Sequence, residues 1–183
     1  IVCSVGIAFA LLGTVFIFAA SQRGTLAVPT LNISELISHA QTLNFPLLRL
    51  GFIFCLIGYG TKAGIFPLHT WLPDAHAESP APASAMLSGS LLNCALFGIW
   101  KVSSIINAAQ PHSHVQQLVA ILGTVTVVAA SRLLLRRHNF KRLWAYSSIE
   151  NVGLMVFAIG LGSGPLFFLQ ALNHSLAKVA LFL

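Results

Sequence analysis

Residues 57–84 read IGYGTKAGIFPLHTWLPDAHAESPAPAS, and within them an apolar segment turns into a proline-rich one. Three glycines surround Lys62, and Pro67 follows shortly after them. Each glycine lowers helix propensity by about 1 kcal/mol relative to alanine, and a proline removes one backbone donor. We therefore predict that a helix enters this stretch from its amino-terminal side and breaks near Lys62.

The composition of the chain predicts a membrane protein. Of its 183 residues, 56% are hydrophobic and only 8% are charged, and the mean hydropathy is +0.84. A soluble domain carries about 25% charged residues, so this chain could not hide its apolar surface from water. The net charge of +6 does not indicate nucleic acid as a partner, because the basic residues flank apolar segments and are not interleaved with exposed aromatic residues.

Six apolar segments are predicted to span the bilayer, so we expect an all-α polytopic transmembrane helix bundle with one discontinuous helix. The spans cover approximately residues 1–20, 47–68, 83–106, 114–135, 148–161 and 165–183. Since the chain starts without methionine and both ends lie in apolar segments, we expect it to be a piece of a longer protein. Between the first two spans, ISELISHAQTL is predicted to form a short surface helix capped by Asn32 or Ser34.

The fifth span begins with SSIE, residues 147–150. A serine followed three residues later by a glutamate is the pattern of a capping box, in which each side chain bonds the backbone N–H of the other residue. We therefore interpret Ser147 and Glu150 as the start of a helix. A proton-carrying role for Glu150 is the alternative.

The basic residues predict the orientation of the bundle. Half of all lysines and arginines surround the connection between the fourth and fifth spans: Arg132, Arg136, Arg137, Lys141 and Arg142. The positive-inside rule puts this connection in the cytoplasm. Counting spans backwards puts the proline-rich stretch after the second span on the same side, and the ends of the first and third spans on the opposite side.

Lys62 is the first of three polar positions inside the predicted spans. An ionisable group near the bilayer centre costs about 2.5–3.5 kcal/mol on insertion scales, so it is usually retained for a function. At a broken helix, the lysine could bond the freed carbonyl groups, contact water and exchange protons. The alternative is a lysine that snorkels to the membrane interface from a helix end.

His174 and Lys178 form the second position, in the sequence LQALNHSLAKVALFL. They are four residues apart and therefore project from the same face of a helix. Gln170 and Asn173 add polar atoms on or near that face. A histidine exchanges protons near neutral pH, so this face predicts a proton wire whose gaps are filled by water. The alternative is a polar stripe that packs helices through hydrogen bonds.

Asn93, in the third span, is the third position. Its amide can hydrogen-bond across helices or hold a water molecule, but it does not exchange protons at ordinary pH. A packing role and a water-holding role therefore both remain open. Lys101 lies near the end of the same span, and we expect its side chain to snorkel.

No metal or cofactor site is predicted for this chain. Potential ligands crowd the proline-rich stretch: His69, Asp74, His76 and Glu78. Their spacing matches no metal motif, so we prefer capping of helix ends by Asp74 and Ser84. The cysteines lie singly in apolar segments and are interpreted as small buried side chains: Cys3, Cys55 and Cys94.

Two long motifs carry a family resemblance: KAGIFPLHTWLPDAHAESPAPASAMLSG, residues 62–89, and NFKRLWAYSSIENVG, residues 139–153. Together with NHSLAKVALFL, residues 173–183, they resemble the antiporter-like membrane subunits of respiratory complex I, of the sodium/proton antiporter complexes and of the membrane-bound hydrogenases. The resemblance covers roughly residues 47–183. CSVGIAFALLGTVFIF and SGSLLNCALFGI are most similar to the hydrogenase-4 component F type.

The resemblance implies a fragment of a larger fold built from inverted repeats, each with one broken helix. Lys62 matches the lysine of the family's broken helix, which pairs there with a glutamate two helices earlier, outside this chain. His174 and Lys178 match the histidine and lysine of the family's central proton wire. Gln170 and Asn93 stand where some members have titratable residues, so water held by Asn93 would have to carry the proton between Lys62 and His174.

The resemblance also implies a function. We expect a proton-translocating subunit, without a catalytic centre of its own, in a membrane-bound hydrogenase of the hydrogenase-4 or formate hydrogenlyase type or in a complex I-like oxidoreductase. Its expected partners are other membrane subunits, a peripheral redox arm, the lipid bilayer and protons or sodium, in a bacterial or archaeal cytoplasmic membrane. The alternatives are a secondary transporter or antiporter subunit without redox coupling, and a scaffold whose polar residues only pack.

Overall fold

The computed structural model describes residues 2–24, 29–111, 113–136 and 139–183. These ranges contain helices, turns and connecting segments but no strand, which confirms the all-α fold class. The helices are α1 (Val2–Gln22), α2 (Ile33–Ser38), α3 (Phe45–Ala63), α4 (Trp71–Glu78), α5 (Ala81–Met86), α6 (Leu92–Ala109), α7 (His114–Leu134), α8 (Phe140–Gly160) and α9 (Gly164–Phe182). A 3-10 turn follows α2 at Ala40–Thr42, and a π-helical segment at Leu87–Leu91 joins α5 to α6.

Within the described residues, five helical segments are long and apolar enough to cross a membrane: Val2–Gln22, Phe45–Ala63, Ala81–Ala109, His114–Leu134 and Phe140–Gly160. The third of them joins α5, the π-helical segment and α6 into one continuous helix. These five correspond to the first five predicted spans. The sixth, α9, has 19 residues but is not among the five, because polar side chains interrupt its apolar sequence.

The broken helix lies where the glycine pattern predicts it. α3 ends at Ala63, one residue after Lys62, and the following Gly64 adopts a φ of +74°, which a glycine reaches without strain. The backbone N–H groups of Gly64 and Ile65 both donate to the carbonyl of Gly60. The chain becomes helical again at α4, so α3 and α4 are the two halves of the discontinuous helix.

The start of α8 corrects the predicted capping box. The helix begins at Phe140, and the side chain of Asn139 accepts hydrogen bonds from the backbone N–H groups of Lys141 and Arg142, at 3.0 and 3.4 Å. Ser147 and Glu150 lie inside the helix, so neither caps its start. The predicted fifth span starts too late, at residue 148, because it was located from hydropathy and the first turn of α8 contains Lys141 and Arg142.

Small residues hold two pairs of helices at close range. α1 packs along α3, and α7 packs along α8. A Cβ atom added at Gly58 would lie 2.7 Å from the Cα of Ala10, and one added at Gly153 would lie 2.8 Å from the backbone nitrogen of Val127. Such close approach of backbones is typical of helix pairs in membranes. Between the pairs, α6 packs against α3, α8 and α9, while α8 also contacts α4 and α9.

The loops at one end of the bundle are tied together. Arg142 forms an ion pair with Asp74 of α4, at 3.0 Å, and the Nζ of Lys141 donates to the carbonyl of Ser79, also at 3.0 Å. The start of α8 and the proline-rich stretch therefore lie on the same side, as the counting of spans predicts. Arg137, one of the five basic residues in that argument, lies outside the described residues.

Several smaller predictions are settled by the same structure. Asn32 caps α2 by accepting from the backbone N–H of Ser34, as predicted. The predicted cap Asp74 is wrong, because its carboxylate pairs with Arg142. Ser84 does cap a helix end, since its hydroxyl donates to the carbonyl of His76 in the last turn of α4, at 3.4 Å. Of the cysteines, Cys55 is buried, Cys3 is half-buried and Cys94 is exposed on the apolar outer surface, which corrects the prediction for Cys94.

Candidate functional site

The inner face of α9 carries two titratable side chains. The buried residues of this helix are Phe167, His174, Lys178 and Phe182, which share one face. His174 is 1% exposed and Lys178 is 3% exposed. Both side chains therefore lie inside the bundle, against α8 and the π-helical segment, while Asn173 is exposed on the outer face.

Two serines connect Lys178 to the π-helical segment. The Nζ of Lys178 donates to the carbonyl of Trp144 at 3.3 Å, and the hydroxyl of Ser148 donates to the same carbonyl at 3.0 Å. The hydroxyls of Ser148 and Ser88 are hydrogen-bonded to each other at 2.8 Å. These buried contacts join α9, α8 and the π-helical segment. Sequence reasoning missed both serines, because their roles depend on contacts between residues far apart in the chain.

His174 lies beside this polar bridge with both ring nitrogens buried. Neither nitrogen has a hydrogen-bond partner within the described part of the chain. The carbonyl of Ser88 and the ammonium of Lys178 are near enough to act on the imidazole electrostatically. A buried polar atom without a partner costs about 1–3 kcal/mol, so this ring is suited to a hydrogen bond with water.

His76 of α4 joins the same cluster, although sequence analysis considered it only as a conceivable metal ligand. Its ring is fully buried and stacks on Phe182 of α9, with 4.8 Å between the ring centroids. Both ring nitrogens lack a partner among the described residues. Burial, together with the smaller effect of the positive charge of Lys178, lowers the pKa of His76 to about 4. The ring is therefore neutral at neutral pH.

Lys62 lies apart from this cluster, between two grooves. One groove, of about 650 Å³, is bounded by α3, α5 and α6, and the other, of about 370 Å³, by α1 and α3. The side chain is half-buried and makes no hydrogen bond or ion pair with any described residue. The expected bonds from Lys62 to carbonyls at the break are absent from this part of the chain. The indole of Trp71 instead donates to the carbonyl of Thr61, at 2.7 Å.

Asn93 uses its amide nitrogen to hold α6 against α9. This nitrogen donates to the carbonyls of Gly89 and Ala171 and to the hydroxyl of Ser175, at 3.1, 3.2 and 2.6 Å. The packing role that the sequence left open is therefore present. The amide oxygen is buried and has no hydrogen-bond partner in the described ranges.

The groove beside Asn93 adjoins the groove of Lys62. The Asn93 groove measures about 360 Å³ and lies between α6 and α9. Both grooves are lined by Ser90 and Cys94. The structure thus places Lys62 of α3 and Asn93 of α6 beside neighbouring grooves, but the described lining of the Lys62 groove does not include His174.

Gln170 and Glu150 bond to different neighbours of the cluster. The amide nitrogen of Gln170 donates to the side-chain oxygen of Asn151 at 2.7 Å. Glu150 points towards α7, where its carboxylate accepts a hydrogen bond from Ser131 at 2.8 Å. Its charge acts on Lys178 electrostatically, although no ion pair of 4.0 Å or less joins the two described side chains.

The potential metal ligands of the proline-rich stretch do not converge. His69 stacks on Phe66 at 5.2 Å, and burial lowers its pKa, whereas His76 stacks on Phe182 and Asp74 pairs with Arg142. Residues 2–24, 29–111, 113–136 and 139–183 contain no group of three or more His, Cys, Asp or Glu side chains that could hold a metal ion.

Solved structures share this arrangement of helices. A chain of the membrane-bound sulfane sulfur reductase, an archaeal respiratory membrane complex, superposes with a TM-score of 0.85 at 29% identity, over 99% of this chain and 36% of that one. A chain of respiratory complex I from Thermus thermophilus superposes with a TM-score of 0.73 at 28% identity, over 99% of this chain and 37% of that one.

Sequence comparison agrees with the structural likeness. A hydrogenase-4 component F homolog from Methylacidiphilum infernorum (isolate V4) is 47% identical over 184 aligned residues, which cover 97% of this chain and 38% of that protein. This chain thus spans less than two fifths of the length of the relatives it matches. A family model described as NADH:quinone oxidoreductase/Mrp antiporter, TM, matches residues 1–183. The chain therefore belongs to the NADH:quinone oxidoreductase/Mrp antiporter transmembrane family.

Proposed function

We propose that this chain forms part of the ion path of a proton-translocating subunit in a redox-driven membrane complex. The inward face of α9 is the observation that supports the proposal. His174 and Lys178 are 1% and 3% exposed on a helix that is otherwise largely apolar, and His76 lies against the same face. Ionisable residues inside a membrane bundle are costly, and they commonly mark proton relays.

The names of the relatives support a host complex of the hydrogenase-4 type. The relative from Methylacidiphilum infernorum is named a hydrogenase-4 component F homolog, and one structural relative belongs to respiratory complex I. For this chain we propose the corresponding partners, namely other membrane subunits and a peripheral redox arm in a bacterial or archaeal cytoplasmic membrane. Electron transfer would take place in those partners, and this chain would contribute the ion path without a cofactor.

The contacts around Lys178 support a relay that combines fixed hydroxyls with water. Ser88 and Ser148 can each donate and accept, and Ser148 shares the Trp144 carbonyl with Lys178, so water would have to join the ammonium group to the two hydroxyls. Lys178 is anchored to the Trp144 carbonyl by one of its three donor positions, which leaves the others for water. Water that bridges the unpartnered nitrogens of His76 and His174 would complete a path between the two histidines and Lys178.

Lys62 would be a second station of the same path. Its side chain has no described partner and borders two open grooves, so an acidic side chain from outside this chain could reach it. The grooves of Lys62 and Asn93 share Ser90 and Cys94, and the free amide oxygen of Asn93 can hold a water molecule. We propose that such water carries protons from Lys62 towards His174.

Replacement of Lys178 tests the proposal. In the intact complex, reconstituted in vesicles with a pH-sensitive dye, we expect Lys178→Ala to reduce proton transport per electron transferred at least tenfold. Lys101→Ala is the matched control, because Lys101 lies over the rings of Phe97 and Trp100, at 5.3 and 5.2 Å, and outside the cluster. We expect this control variant to transport protons at the wild-type ratio.

Two results would refute the proposal. One is a normal ratio of protons to electrons in the Lys178→Ala complex. The other is ion transport by the wild-type subunit that proceeds at full rate without an electron donor, which would instead support a secondary transporter or an antiporter subunit without redox coupling.

A further inference from the structure

A polar crevice opens at the end of the bundle opposite the basic loop. It measures about 510 Å³ and lies between the end of α6, the start of α7 and the turn from α8 to α9. Its lining includes Ser104 and Asn107 of α6, Gln116 of α7 and Gly162 of the turn. Nearly half of this lining is polar, unlike the largely apolar grooves around Lys62 and Asn93.

Two mostly buried polar side chains border this crevice. Gln116 is 6% exposed and Ser103 is 5% exposed, and no hydrogen bond joins either side chain to a described residue. Neither side chain contributes a fully buried, unpartnered polar atom among the described residues, so their polar atoms reach the crevice. The amide nitrogens of Asn107 and Gln116 converge on Gly162, because both would lie within 3.7 Å of a Cβ atom added there. Polar atoms that border an open crevice and make no hydrogen bond with a described residue are suited to bind water.

A small cavity continues inward from the crevice. It measures about 30 Å³ and is lined by Trp100, Ser103, Ser104, Asn107, Gln116, Ile159 and Gly162. This volume holds one water molecule, and the lining offers that molecule the two to four polar partners it needs. Ser103 lies six residues before the end of α6, so the cavity is roughly 9 Å below the helix end.

We propose that the crevice is a water-filled vestibule on the extracytoplasmic side, which ends in a site for a single water molecule held by Ser103, Asn107 and Gln116. The vestibule is the outer aqueous port through which ions leave or enter the bundle. Its assignment as a port rests on the proposed function, whereas its hydration rests only on the polar lining, the cavity volume and the unpartnered side chains.

Cysteine labelling tests the hydration of the vestibule. In a cysteine-free form of the full-length protein in oriented vesicles, Ser103→Cys and Asn107→Cys are exposed to a positively charged, membrane-impermeant thiosulfonate. Leu118→Cys is the matched control, because Leu118 lies at the same end of α7 but is 54% exposed on the apolar outer face. Only a thiol in contact with water ionises and reacts. We expect both test variants to react at least tenfold faster than the control, and only from the extracytoplasmic side.

The same variants test the port separately. We expect labelled Ser103→Cys to transport ions at least fivefold more slowly than the unlabelled protein, while labelling of Leu118→Cys has no effect. A Ser103→Cys variant that reacts no faster than Leu118→Cys overturns the vestibule. Full transport after complete labelling of Ser103→Cys overturns the port. A wild-type complex that shows no redox-coupled ion transport would refute the proposed function instead. The labelling rates would still report whether the vestibule is hydrated.

Discussion

At the scale of single residues, the site is shaped by backbone effects within one stretch, as at Gly64, and by contacts between distant residues, as from His76 to Phe182. The break at Gly64 was predictable, because glycine and proline act on their own stretch of backbone. The bond from Trp71 to the Thr61 carbonyl was not, since its donor reaches back only after the chain has folded over the break. His76 was missed for the same reason, because α9, against which it packs, lies a hundred residues further along the chain.

His76 makes stability depend on pH. The pKa of a histidine in an unfolded chain is near 6.5, and burial lowers the pKa of folded His76 to about 4. The unfolded state therefore binds the proton first, so stability falls as the pH drops from about 6.5 towards 4. We expect the purified full-length subunit to lose about 2 kcal/mol from this residue between pH 7 and pH 5.

His76→Phe should remove that loss while keeping the stacking on Phe182. Thermal unfolding at pH 7 and pH 5 measures the difference, and the exposed His114 provides a control variant, His114→Phe, which should retain the wild-type loss. An equal loss in the His76→Phe and wild-type proteins would show that the folded state accommodates the charged imidazole.

At the scale of helices, hydropathy located the spans but not their details. Each of the first five predicted spans overlaps an apolar helix of the described residues, because length and apolarity determine which segments can cross a bilayer. The predicted start of α8 was wrong, because the S-x-x-E pattern that suggested it also occurs inside helices. The π-helical segment was not predictable, since its sequence LSGSL has no periodicity that distinguishes it from an α-helix.

The π-helical segment packs closely against α9 at Gly89, which lies beside Val179. A Cβ atom added at Gly89 would lie 2.6 Å from the Cγ2 of Val179, so Gly89→Ala must displace the Val179 side chain or shift α9. We expect this change to lower stability by about 1–3 kcal/mol in thermal unfolding. A second substitution, Val179→Ala, should restore most of the lost stability, because it removes the methyl groups that oppose residue 89. A double variant as unstable as Gly89→Ala alone would show that the lost stability does not come from the contact between residues 89 and 179.

At the scale of the whole molecule, two pairs of closely packed helices enclose a polar interior. α1 with α3 and α7 with α8 pack through glycines, and between them α4, the π-helical segment and α9 bring His76, Ser88, His174 and Lys178 together. The family's motifs predicted His174 and Lys178 as part of this interior. The serines and His76 required the tertiary structure, because no spacing in the sequence sets them apart.

The ties between Asp74, Ser79 and the start of α8 predict the topology of the full-length protein. We expect exposed cysteines introduced as Glu78→Cys and Arg136→Cys to be labelled by an impermeant maleimide only from the cytoplasmic side. Gln110→Cys, exposed at the other end of α6, should be labelled only from the opposite side. Labelling of residues 78 and 136 from different sides would contradict the observed arrangement of the loops.

The central claim is that the titratable side chains of α9 and α4 face a shared hydrated interior, and an experimental structure of the full-length subunit that resolves water tests it most directly. The account predicts ordered water within hydrogen-bond distance of a ring nitrogen of His174, of His76, and of the Nζ of Lys178. An interior without water, or an imidazole of His174 turned towards the lipid, would contradict the account.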